Sequence, residues 1–132
     1  MKLKKMLLAI LVTFILSNVL TTVWYMVMDD ANYVPYRRAE MNYGLLVLNH
    51  LIFAAIFVYL HPFFFQKSPK VERGMVYGLL MAAMMFIPQA LVVRAIWEVD
   101  VNTIFFLNTL AHLAIGAILG VAVSLIYNYK NN

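Results

Sequence analysis

Asn108-Thr109-Leu110-Ala111-His112-Leu113-Ala114-Ile115-Gly116-Ala117-Ile118-Leu119-Gly120-Val121-Ala122-Val123-Ser124 is the stretch that decides how the chain folds. It is uncharged and long enough to cross a bilayer as a helix. Its polar and small residues, Asn108, His112, Gly116, Gly120 and Ser124, recur every four positions. On an α-helix that spacing stacks them into one row. Gly116 and Gly120 form a small-xxx-small surface on which a second helix can approach closely, and the same face carries His112 inward.

Three further stretches have the same character, and the spacing predicts four transmembrane helices at about 3–28, 42–64, 73–97 and 102–128. The first carries Ala9, Thr13, Ser17 and Thr21 in a row, with Asn18 and Thr22 beside it and Trp24 and Tyr25 placed as interfacial anchors. The second holds Asn42, Asn49 and His50, then Ala54 and Ala55. It closes at His61-Pro62, where proline ends or kinks the ladder and His61 is expected at the wet interface. The third opens on Gly74, Gly78 and Ala82, another close-packing row. Further along it Pro88 frees the Met84 carbonyl beside Gln89, and Arg94 is placed to snorkel or pair with Glu98 near Trp97. Met75, Met81, Met84 and Met85 read as adaptable packing, not as a thioether metal site.

Composition agrees. The 132 residues are 64% hydrophobic and 12% charged, with a mean hydropathy of +0.82, far too apolar for a water-soluble domain of that length. The net charge of +4 does not imply a nucleic-acid partner, because the basic residues flank apolar spans instead of forming a patch. Lys2, Lys4, Lys5, Lys67, Lys70, Arg73 and Lys130 fall on one side, and Arg37, Arg38 and Arg94 on the other. That asymmetry predicts cytoplasmic termini and, as a prior, a bacterial plasma membrane. The first span resembles a secretory signal only in its lysines. Its apolar run is too long and lacks an Ala-x-Ala site, so it reads as a retained helix. With no cysteine, thiolate chemistry and cysteine-ligated metals are excluded.

The expected architecture is therefore all-α: an up-down-up-down bundle of one domain, residues 1–132, made of two antiparallel hairpins. The loop at 29–41, with Tyr33, Pro35, Tyr36, Arg37 and Arg38, suits a short interfacial helix. His50-Leu51-Ile52-Phe53-Ala54-Ala55-Ile56 aligns with His112-Leu113-Ala114-Ile115-Gly116-Ala117-Ile118, which suggests a tandem repeat of the hairpins.

The intramembrane polar residues concentrate in the half of the bilayer away from the termini. His50 and His112 lie at similar depth, about 12 to 14 Å in at 1.5 Å per residue. Polar groups at that depth find one another or a ligand. Candidate site residues are His50, His112, Asn49, Asn108, Gln89 and Arg94, with Gly74, Gly78, Gly116 and Gly120 as packing residues. The reading is a non-enzymatic membrane protein with an outward-facing polar pocket, binding a small ligand or a partner membrane subunit, or self-associating. One alternative is a b-type haem between His50 and His112. Another is a small-molecule or ion pathway beside Pro88, weakened by the lack of a mid-membrane carboxylate. A bare metal site is not expected, since no third ligand accompanies the histidines.

Overall fold

The computed structural model describes residues 3–28, 42–64, 71–96 and 103–128. All four segments are helical: α1 (Leu3–Met28), α2 (Tyr43–Phe64), α3 (Val71–Ile96) and α4 (Thr103–Asn128). Each is long and apolar enough to cross a membrane. The expected interfacial helix at 29–41, together with Trp97, Glu98, Tyr129 and Lys130, lies outside the described residues.

Helix ends follow local chemistry. Asn42 caps α2: its Oδ1 accepts from the Leu45 amide at 3.0 Å and its carbonyl accepts from the Leu46 amide at 3.2 Å. Asn42 is thus the N-cap of α2. Helix α3 begins at Val71, two residues ahead of the expected start, and gains Glu72 in its first turn where the helix dipole favours an acid. Pro62 lies inside α2, which ends two residues later, whereas α3 continues through Pro88 to Ile96.

The tightest contact in the bundle joins α3 to α4. Gly74 and Gly78 lie directly against Gly120 and Gly116. A Cβ built on Gly78 would sit 2.6 Å from the Gly116 carbonyl carbon, and one on Gly116 would sit 2.5 Å from the Ala82 Cβ. Side-chain-free backbone is therefore required on both helices. Helix α1 packs against α2 and α4, while α2 and α3 touch only slightly.

Near the end of the bundle where α1 and α3 begin, the core is closed by Ala9, Phe57, Val58, Tyr77, Met81, Leu119 and Val123. We call this end proximal and the opposite one distal. His61 corrects the expectation of a wet interfacial residue. It is 1% exposed, shares a 2.9 Å hydrogen bond between its Nε2 and Ser124 Oγ, and stacks on Tyr127. Tyr77 Oη donates to the Phe57 carbonyl, and the Tyr77 ring packs on Phe57, His61 and Phe64. The sequence placed His61 by its distance from the helix end alone. Burial followed instead from the partner that Ser124, the last member of the α4 row, supplies.

The glycine seam makes a graded prediction. Gly78→Ala or Gly116→Ala lowers stability by about 1–3 kcal/mol through overpacking, and leucine at either position prevents a folded bundle. Gly44→Ala, whose added Cβ meets nothing closer than Asn42 Oδ1 at 3.4 Å, costs nothing measurable. Thermal unfolding of the three alanine variants in mild detergent checks the ranking.

Candidate functional site

The helices part toward the distal end because the residues on the same four-residue rows change size. On α3, Gly74 and Gly78 are followed by Ala82, Phe86, Ala90 and Arg94. On α4, moving away from Gly120 and Gly116, the row continues to His112 and Asn108. On α1, Ala9 and Thr13 lead to Ser17, Thr21 and Tyr25. Helices that cross on glycine rows diverge at about 40°. Above the crossing lies a cavity of about 420 Å³, lined by all four helices.

All six candidate residues from the sequence, Asn49, His50, Gln89, Arg94, Asn108 and His112, line this one cavity. Ser17, Thr21 and Tyr25 join them from α1, and Phe53, Ala82, Met85, Ile115 and Leu119 contribute apolar wall. Among the described residues the lining contains no acidic side chain, and Arg94 is the one charged side chain.

Several polar groups satisfy part of their bonding within their own helix and not across helices. Ser17 Oγ and Asn18 Nδ2 both donate to the Phe14 carbonyl, at 3.1 and 2.8 Å, and Thr109 Oγ1 donates to Phe105 at 2.8 Å. His112 Nδ1 lies 2.8 Å from the Asn108 carbonyl. A carbonyl only accepts, so Nδ1 carries the proton and, in the neutral ring, Nε2 is the acceptor. The ring itself is fixed between Phe86, stacked at 4.0 Å between centroids and 13° between planes, and the edge of Tyr25 at 6.2 Å. His112 is thus held rigidly with one nitrogen committed.

Asn49, His50 and Gln89 have no hydrogen-bond partner among the described residues, although His50 is 7% exposed. Their donors and acceptors are available to whatever fills the cavity. Arg94 is half-buried; its Nη1 donates to the Ala90 carbonyl at 3.0 Å and its guanidinium lies 4.4 Å over the Phe105 ring. The partner proposed for it from sequence, Glu98, is outside the described residues.

Trp24 and Tyr25, expected as interfacial anchors, also make contacts inside the bundle. Trp24 Nε1 donates to Asn108 Oδ1 at 2.6 Å, tying α1 to α4 at the distal end, and Tyr25 lines the cavity. Sequence reasoning missed Tyr25 and Phe86 as the brackets of His112. Both would have been found by extending rows already recognised, Thr21 to Tyr25 and Ala82 to Phe86, by one more turn. Among the described residues no group of three histidine or acidic side chains is placed to hold a metal ion. Met81 is buried in the core cluster, while Met75, Met84 and Met85 are exposed.

Fold and site together define a class: a small four-span helical bundle with a mixed polar and apolar cavity in one half. Compared with known proteins, the chain matches no family model, no curated protein and no solved structure.

The Trp24–Asn108 bond can be tested alone. Asn108→Leu in a Trp97→Phe background removes the acceptor from the one remaining tryptophan. The expected result is a shifted Trp24 emission and a stability loss of about 0.6 to 2 kcal/mol, the range for hydrogen bonds between membrane helices.

Proposed function

We propose that this is a small integral membrane protein that binds a small ligand in the distal cavity, with both termini cytoplasmic and the cavity opening on the external side of a bacterial plasma membrane. One observation carries the reading: Asn49, His50 and Gln89, three polar side chains without partners among the described residues, line the same cavity as the fixed imidazole of His112. Polar groups in a membrane span are costly unless something satisfies them. A role in packing alone would have turned them toward one another. Orientation rests on the lysine and arginine asymmetry of the sequence.

Because the chain has no cysteine, single cysteines report the cavity directly. A membrane-impermeant maleimide added outside intact cells labels Asn49→Cys and Val93→Cys, both in the lining, and leaves Ser124→Cys in the closed core unreacted until the protein is denatured. Labelling of the cavity positions only in inside-out vesicles contradicts the orientation. No labelling from either side contradicts the cavity.

A second reading has its own support, since His50 and His112 come from different helices, lie at similar depth and line one cavity. A histidine ligand that donates its other ring N–H to a backbone carbonyl is the usual arrangement at a metal, and His112 has it. A b-type haem held by the two rings gives the protein, purified from its native membrane, a Soret band that shifts on reduction and vanishes in His50→Ala. A featureless visible spectrum from folded protein removes this reading and leaves the binding cavity.

A further inference from the structure

Two neighbouring groups on the cavity wall have their hydrogen-bonding roles fixed by what they touch elsewhere. An indole N–H only donates, so the 2.6 Å bond from Trp24 turns Asn108 Oδ1 toward α1 and leaves the Asn108 amide nitrogen, a donor, on the other side. A carbonyl only accepts, so neutral His112 gives its Nδ1–H to the Asn108 carbonyl and keeps Nε2 as an acceptor. Both residues line the cavity. Neither the Asn108 amide nitrogen nor His112 Nε2 has a hydrogen-bond partner among the described residues. Neither is among the fully buried unpaired atoms, so both can be reached.

Asn108 and His112 are one turn apart on α4, where side chains stand about 5 to 6 Å from each other. Two hydrogen bonds of about 2.8 Å span that separation, so one ligand atom can meet both groups. That atom has to donate to Nε2 and accept from the amide nitrogen. A hydroxyl does both. A carboxylate, ester or ketone oxygen has no proton to give, and an ammonium has no lone pair to receive one. At about 1.5 Å per residue from the start of α4, the hydroxyl position lies about 8 to 14 Å down, inside a candidate membrane span.

The cavity also reaches the outside of the bundle at this depth. Leu46 and Asn49 of α2, and Met85 and Gln89 of α3, line it and are exposed at the protein surface. Among the described residues α2 and α3 touch only slightly, and their ring and hydrogen-bond contacts involve Tyr77 in the proximal half. Building on the binding reading above, we propose that the cavity takes a membrane-dissolved alcohol, a neutral lipid whose hydroxyl head bridges Asn108 and His112. Phe53, Ile115 and Leu119 lie deeper in the wall, at about 15 to 24 Å, and receive the first part of its chain. The volume of about 420 Å³ far exceeds the roughly 15 Å³ that one water needs, and it falls within the range of ligand pockets.

The test uses the full chain carrying Asn49→Cys in phosphatidylcholine nanodiscs, with the maleimide labelling rate as readout. Position 49 lies about 9 Å from the distal end of α2, level with the hydroxyl position. Oleyl alcohol is the probe, oleyl methyl ether the control that accepts but cannot donate, and 1-propanol the water-soluble alcohol. The expected result is protection by oleyl alcohol, with about tenfold more ether needed, as loss of one hydrogen bond predicts, and none by propanol at the same concentration. Adding His112→Phe keeps a ring against Phe86 but removes the acceptor, so the alcohol loses its advantage over the ether. The comparison of alcohol with ether needs no second substitution and stands even where that variant does not fold. Equal protection by ether and alcohol overturns the hydroxyl assignment, and an advantage that survives in folded His112→Phe overturns its placement at His112. Propanol protecting as well as oleyl alcohol overturns the lipid in favour of a water-soluble alcohol. A thiol that reacts freely with neither alcohol protecting it means that the pair holds water only, and overturns this inference alone. A thiol that never reacts overturns the cavity reading beneath it as well.

Discussion

Backbone contact between Gly74–Gly78 on α3 and Gly116–Gly120 on α4 is the constraint from which the rest of the bundle follows. In a membrane there is no hydrophobic force to draw apolar helices together, since lipid tails are as apolar as leucine, so close van der Waals packing has to do it. Four of the five glycines in the chain are spent on that one seam. Ser124 and the His61 that bonds it lie at the same end, as does Tyr77, so α2 is drawn against the seam from the other side. The proximal half is therefore closed.

The distal half is the geometric consequence. Rows that begin with glycine and alanine continue into phenylalanine, histidine, asparagine and arginine, and the same faces that touch below stand apart above. A cavity formed in this way inherits side chains from every row at once. It requires no motif of its own. His112 shows how the two halves are coupled: it sits one turn from Gly116, and its ring is braced by Phe86, which sits one turn from Ala82, the residue against Gly116. Positional precision in the site thus derives from packing in the seam.

The sequence made the four spans, the glycine rows and the concentration of polar residues in one half legible, because each depends on composition or on spacing along a single helix. Helix bounds came within about two residues for the same reason. What was not legible depends on pairs of helices. His61 was read as wet because nothing along α2 reveals that Ser124 of α4 stands opposite it. The bond of Trp24 to Asn108 was not legible because it joins residues 84 positions apart. The guanidinium of Arg94 lies over Phe105 of the next helix, a contact that no spacing along α3 reveals. Even so, the six polar candidates share one cavity, since depth in the membrane, which spacing does give, already restricts which side chains can meet.

The seam can be observed without mutation. Solid-state NMR of the protein in lipid bilayers, with carbon-13 placed only in glycine, has five residues to resolve, and Gly44 serves as an internal control. The account predicts interhelical cross-peaks between Gly74 and Gly120 and between Gly78 and Gly116, with none from Gly44 to any of them. Spectra in which these interhelical peaks are missing, while the neighbouring pairs Gly74–Gly78 and Gly116–Gly120 are seen, would contradict it and with it the cavity the seam creates.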